Sequence, residues 1–297
     1  MRLATSPINW NNEDVPDYRP WVPSPEILDE IRRAGYTATE WSKSLPEDVE
    51  RLEADLKTRG LDLIGAFVAL DLKDPRRHDA EIERALKKAR FLKALGAGYL
   101  VAADAGDEKR RAAAGHAGPE VAMTPSELSA LAEGLNRLGE KLKELGLELV
   151  FHNHVGTYVE TEEEIERVLE LTDPELVGWC LDTGHLVYAG GDPSRLLDRF
   201  APRVRYLHVK DVDPEVLSQA QREGWSFEKA LRNYVFAPIG EGAVPLKEIL
   251  KTLLEAGYDG FAVIEQDTTP TDPTLTARQN RERLVALLRE LGHEPKV

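Results

Sequence analysis

The sequence predicts an α/β fold, a closed (β/α)8 TIM barrel, and three observations carry that expectation. Eight short apolar or β-branched runs alternate with amphipathic stretches along the chain. Helical stretches repeatedly end on a glycine just before the next run, as in Ala34-Gly35-Tyr36, Arg59-Gly60-Leu61 and Leu145-Gly146-Leu147. Polar side chains able to do chemistry cluster at the C-terminal ends of four consecutive runs, the end of a barrel where sites are built.

The eight runs are residues 3–7, 37–41, 61–68, 99–103, 147–153, 177–182, 204–210 and 260–266. Helical periodicity covers 25–34, 81–95, 125–145, 162–171 and 246–256. Helix starts are legible too. Thr124-Pro125-Ser126-Glu127 offers an N-cap, a first-turn proline and a capping-box acid. The acidic run from Glu160 to Glu166 suits the positive end of a helix. Strand–helix alternation with short turns means a parallel sheet with right-handed crossovers. A doubly wound open sheet is the alternative, and it lacks its Gly-rich phosphate loop after the first strand. Two connections, 103–124 and 211–241, are long enough to shape a site.

The 297 residues are expected to form one TIM-barrel domain over 1–297; such barrels typically take about 250 residues. The net charge of −15 argues against nucleic acid, which needs a basic face, and against an anionic membrane surface. It leaves a small neutral polyol or sugar as the expected partner, with self-association left open. No apolar run approaches the roughly 20 residues of a membrane helix, and MRLATSPINW has no signal-peptide core. A cytoplasmic location is the expectation. Cys180 is the single cysteine, so no disulfide forms, and it reads as a buried strand residue. His78 reads as a solvated residue in a polar helix start.

Strand five ends Phe151-His152-Asn153-His154, and strand six ends Asp182-Thr183-Gly184-His185. Strand seven ends His208-Val209-Lys210-Asp211, and strand eight ends Glu265-Gln266-Asp267. Side chains alternate along a strand. Asp182, His208, Glu265 and one strand-five histidine, His152 or His154, can therefore converge on the barrel axis. Two imidazoles with two carboxylates suit Mn²⁺, Co²⁺, Fe²⁺ or Zn²⁺ better than Ca²⁺ or Mg²⁺. A single strand-end acid is often only a helix N-cap, but four such residues on four consecutive strands are hard to explain that way. Glu40, at the end of strand two, is placed to reach a substrate hydroxyl. Asn9 and Trp10 follow strand one and suit a polyol. Asp211 and Glu241, the latter in Gly240-Glu241-Gly242, are further candidates for substrate contact.

The strings PINWNNEDVP, FHNHVGTYVETEEEIERVLELTDP, CLDTGHLVYAGGDP, YLHVKDV, PIGEGAVPLKEIL and AGYDGFAVIEQD resemble the inosose dehydratase branch of the xylose-isomerase-like superfamily of sugar isomerases and epimerases. The resemblance runs from the first strand to about residue 270. It implies a xylose-isomerase-like TIM barrel with a divalent metal, Mn²⁺ or Co²⁺, with Zn²⁺, Fe²⁺ or Mg²⁺ as alternatives. Carried over by position, it implies Asp182, His208 and Glu265 as three of the four ligands; where many relatives have a strand-five glutamate, this chain has His152, which we take as the fourth. The turn after strand two, Trp41-Ser42-Lys43-Ser44, also departs from the Gly-Asn-Lys-Tyr-Pro-like turn of the branch. The implied reaction is dehydration of a cyclic keto-polyol, 2-keto-myo-inositol, through an enediolate. Glu265 or His154 would act as base, and Lys210 or His185 as acid. The alternative is a ketose isomerase or epimerase on the same site.

Overall fold

In the computed structural model, which describes residues 1–296, eight parallel strands close into a barrel. They are β1 (Arg2–Thr5), β2 (Ala38–Trp41), β3 (Asp62–Leu70), β4 (Tyr99–Asp104), β5 (Glu148–His152), β6 (Val177–Asp182), β7 (Val204–Val209) and, last in the chain, β10 (Phe261–Ile264). A two-stranded ribbon, β8 (Asp211–Val212) with β9 (Phe236–Ala237), stands apart and is antiparallel. Neighbours around the barrel run β1-β10-β7-β6-β5-β4-β3-β2. The expected barrel is therefore present, with all eight runs as its staves.

Helices ring it: α1 (Ser24–Arg33), α2 (Val49–Arg59), α3 (His78–Ala94), α4 (Glu108–Ala112), α5 (Pro125–Leu145), α6 (Glu162–Leu171), α7 (Thr183–Tyr188), α8 (Pro193–Phe200), α9 (Pro214–Glu223), α10 (Phe227–Arg232), α11 (Leu246–Glu255) and α12 (Pro273–Glu290). The reason α5 docks is visible in its spacing. Leu131, Leu135, Leu138 and Leu142 are buried on one stripe. Thr124 and Glu127 close the capping box as expected, and Gly146 ends the helix with φ +77°. Among the described residues no helix is long and apolar enough to cross a membrane.

Two apolar layers result. The larger lies between strands and helices. The smaller fills the barrel, with Ala4, Ala38, Ile64, Val101, Val150, Cys180, Tyr206, Phe261 and Val263. Cys180 is thus a packing residue, as expected. His78 is not solvated; it is 1 % exposed, and its Nε2 lies 2.8 Å from the Leu72 carbonyl oxygen.

The long connection after β4 is tied to the one after β5. Arg110, in α4, is fully buried. It donates to the Thr157 carbonyl oxygen at 2.6 Å and to both oxygens of Glu164 at 2.8 and 3.0 Å. Gly106 permits the approach: its φ is +59°, and a Cβ there would meet the Gly156 carbonyl oxygen at 2.6 Å. Removing one partner of a buried pair strands the other's charge. Arg110→Ala should therefore cost about 3–5 kcal/mol in urea unfolding. Replacing Arg110 and Glu164 together with apolar residues should recover much of that loss.

Candidate active site

The barrel register brings the chemistry together. Asp182 pairs in register with His208, and His152 with Cys180, whose own register partner on β7 is Tyr206. Counting by twos from the interior residues Val150, Cys180, Tyr206, Val263 and Ala38 brings His152, Asp182, His208, Glu265 and Glu40 to the top layer of the barrel. All five are buried. They stand at or beside the floor of a cavity of about 1340 Å³ at the C-terminal end of the strands.

Asp182 divides its work between its two oxygens. Oδ1 accepts from the His185 N–H at 2.8 Å and so caps α7. Oδ2 faces the cluster: His152 Nε2 lies at 3.3 Å, His208 Nδ1 at 3.7 Å and Lys210 Nζ at 2.8 Å. Glu265 Oε2 lies 3.2 Å from His208 Nδ1 and in a very short ion pair with Lys210. On the other side of the ring, His208 Nε2 donates to Glu40 Oε1 at 3.0 Å, and the Tyr206 hydroxyl donates to the same oxygen at 2.8 Å. Glu40 thus fixes the orientation of His208 and leaves Nδ1 turned toward Asp182 and Glu265. Gly184 makes room for this. A Cβ there would collide with the Lys210 side chain and meet the Phe236 ring at 2.9 Å.

The charges shift one another. Burial alone would raise the Asp182 and Glu265 carboxyls, but Lys210 and His208 outweigh it and hold both well below the usual range. Burial opposes charge on His208 and Lys210, yet the surrounding carboxylates hold both well above their ordinary values. At His152 burial outweighs the neighbouring Asp182 carboxylate and pushes the ring down to about 3. Asp267 was not singled out in the sequence. It is buried, and burial pushes its carboxyl up to about 7.

A second pair of imidazoles stands beside the carboxylates. The rings of His154 and His185 stack with centroids 3.9 Å apart. His154 Nδ1 lies 2.7 Å from the Val155 carbonyl oxygen, which can only accept. His185 Nδ1 accepts from the Val155 N–H at 3.3 Å. The neutral rings therefore carry their protons on opposite atoms. His154 presents a bare Nε2, and His185 an Nε2–H. Burial lowers both, so both are neutral near pH 7. Phe227 of α10 covers the pair at 6.1 and 5.5 Å.

Four residues expected to touch substrate do not line the cavity. Asn9 is committed to Thr5 Oγ1 and to the backbone of Ile264 and Gln266. The Trp10 indole donates to Thr274 Oγ1, and its ring is 1 % exposed. Asp211 accepts from the N–H groups of Val212, Gly240, Gly242 and Val244, organising the ribbon instead. Glu241 is exposed and paired with Arg283. Phe67, passed over in the sequence, does line the cavity. It is 40 % exposed in the middle of β3, with its ring 5.7 Å from and nearly perpendicular to that of His152. A strand phenylalanine gives no sequence signal that separates a cavity wall from a core.

A model of the xylose isomerase-like TIM barrel family matches residues 28–290. An inosose dehydratase of Geobacillus kaustophilus is 35% identical over 98% of this chain and 96% of its own. The rhizopine catabolism protein MocC of Rhizobium meliloti is 35% identical over 98% and 90%. Among solved structures, that of the IOLI protein with a bound zinc atom has a TM-score of 0.72 at 17% identity, covering 98% of this chain and 99% of that one. This chain belongs to the xylose isomerase-like TIM barrel family. Within it, the chain is an enzyme of the dehydratase type, a carbon–oxygen lyase, through its kinship with the inosose dehydratases.

The histidines predict a pH dependence. Protons bind the unfolded chain below about 6.5, whereas buried His152 and His185 and half-buried His154 resist them in the folded state. Stability then falls with pH through that window. His208 and the Asp267 carboxyl, both shifted upward, oppose this, two groups against three rings. The urea midpoint of metal-free protein should fall between pH 6.5 and 5; a flat or rising midpoint would contradict the burial assignments.

Proposed function

We propose that this enzyme removes water from a cyclic keto-polyol of the inosose class, 2-keto-myo-inositol, with a divalent ion such as Mn²⁺ or Co²⁺ held by His152, Asp182, His208 and Glu265. The observation that carries the reading is the stacked His154–His185 pair with opposite proton assignments, beside a buried carboxylate–imidazole cluster.

The cluster suits a metal on its own chemistry. Donors on one ion at about 2.0–2.2 Å stand about 3.0–3.5 Å apart. The separations His152 Nε2–Asp182 Oδ2, His208 Nδ1–Glu265 Oε2 and His208 Nδ1–Asp182 Oδ2 are 3.3, 3.2 and 3.7 Å. His208 Nδ1 is buried with no hydrogen-bond partner, and Glu40 anchors the opposite nitrogen, as an orienting carboxylate does for a metal-bound imidazole. Glu40, His208 and Glu265 also bring ligand atoms within 4.8 Å of one another. His152, Cys180 and His208 do the same, but burial pushes the Cys180 thiol up, so it stays protonated and is a poor ligand. A bound ion would act as a Lewis acid on the substrate carbonyl and acidify the adjacent C–H.

The protein's own groups do the proton work. His154 Nε2 takes the proton from the carbon beside the carbonyl. His185 Nε2–H protonates the hydroxyl one carbon further on, so that it leaves as water and a carbon–carbon double bond forms. Hydroxide is a poor leaving group, which makes this donor essential to the outcome. Phe67 offers an apolar face against which the C–H side of a six-membered ring can lie. Phe227 and α10 cover the site and limit water near the reacting carbons.

Three outcomes test the reading. With Mn²⁺ or Co²⁺, the product from 2-keto-myo-inositol should be lighter by roughly 18 mass units, the mass of one water; a product of unchanged mass that carries deuterium from D₂O would make the enzyme an isomerase or epimerase. His154→Gln and His185→Gln should each lower kcat by about 10²–10⁴, as loss of a general base or acid does, while Mn²⁺ binding is retained. Asp182→Ala and His208→Ala should purify depleted of metal; full occupancy in both would remove the ligand assignment.

A further inference from the structure

Lys210 is in an unusual place. Its ammonium is 2 % exposed and sits on Asp182 Oδ2 and Glu265 Oε2, the same two oxygens assigned to the metal. Asp182 has no other oxygen to offer, because Oδ1 is fixed by the His185 N–H. A third carboxylate waits nearby. Asp267 Oδ1 lies 3.6 Å from Lys210 Nζ, too far for a hydrogen bond, and it is buried without any partner. The Lys210 backbone cannot follow a change of partner. Its N–H donates to Thr183 Oγ1 at 3.0 Å, and its carbonyl oxygen accepts from that hydroxyl at 2.7 Å. Only the four-carbon side chain is free to move, and the vacant acceptor lies within reach of it.

We propose that Lys210 shares its site with the divalent ion: the ammonium neutralises Asp182 and Glu265 in the metal-free protein and transfers to Asp267 when the ion takes those oxygens. The inference rests on the metal reading above. Its physical basis is that two buried carboxylates left with His208 as their one cation are under-compensated for the water they have lost. Lys210 keeps the empty site folded, and for the same reason it weakens the ion's hold. Asp267 then receives a cation that would otherwise be stranded beside a metal. Lys210 is thereby a positioning residue for the metal, whether or not it also touches substrate.

The test uses full-length protein stripped by chelator, with Mn²⁺ alone as the probe, read by titration calorimetry and thermal melting. Lys210→Met should melt at a lower temperature than the parent without metal. It should bind Mn²⁺ at least tenfold more tightly and gain more in melting temperature on binding. Asp267→Asn keeps Lys210 but removes its receiver, and should bind Mn²⁺ roughly tenfold more weakly. In the double variant that weakening should vanish, because no cation remains to be received; such non-additivity marks direct coupling. If Lys210→Met binds Mn²⁺ no more tightly than the parent, Lys210 is not a competitor. If Asp267→Asn weakens binding equally in both backgrounds, Asp267 is not the receiver. Should Lys210→Met fail to fold, unchanged Mn²⁺ affinity in Asp267→Asn overturns the transfer by itself. Absence of Mn²⁺ binding in the parent and all variants would instead remove the metal reading, and this one with it.

Discussion

Charge balance at the barrel mouth is the constraint on which the rest of the structure depends. Asp182 on β6, Glu265 just past β10 and Glu40 on β2 bring three carboxylates from alternate staves of the barrel into one buried space. Taking such ions out of water costs several kcal/mol each unless cations and hydrogen bonds compensate. Lys210 and His208 are the compensation within the chain. Two cations against three carboxylates, with Asp267 close by, leave the cluster negative overall. A divalent ion is the natural completion of such a set.

The fold supplies this balance through register rather than through local sequence. In-register neighbours on adjacent parallel strands point the same way, so Asp182 beside His208 follows from the pairing of β6 with β7. Below the cluster the interior is apolar, which keeps the dielectric low and the interactions strong. Above it, connections of quite different character build the walls. Arg110 locks the β4 and β5 connections together. The ribbon β8–β9 and helix α10 carry Phe227 over the histidine pair. Val155 alone, through its N–H and its carbonyl, sets opposite tautomers in the His154 and His185 rings.

Much of this was legible in the sequence, and the exceptions have physical causes. Strand–helix alternation and the glycine junctions gave the barrel, because period and turn chemistry are local properties. The cluster of His152, Asp182, His208 and Glu265 was legible because the end of a strand and the alternation of its side chains are local too. The roles of Asn9, Trp10, Asp211 and Glu241 were not. Each is a polar or aromatic group at the correct end of the barrel, and its partners lie in the loop or helix against which it packs. Only tertiary contacts reveal that Asp211 is saturated by four backbone N–H groups. Glu40, expected to meet a substrate hydroxyl, lines the cavity, and its hold on His208 across a sequence separation of 168 residues had no local signal. Phe67 and Asp267 were passed over because exposure within a cavity, and a missing partner, are properties of the assembled barrel.

The central claim is that His208 Nδ1, Asp182 Oδ2, Glu265 Oε2 and His152 Nε2 form one cation site, with His154 and His185 left free for proton transfer. Anomalous X-ray diffraction from crystals loaded with Mn²⁺ tests it most directly. A single strong peak is expected within coordination distance of those four atoms, with His154 and His185 outside the coordination shell. A peak on the His154–His185 pair, or none at the barrel mouth, would contradict it.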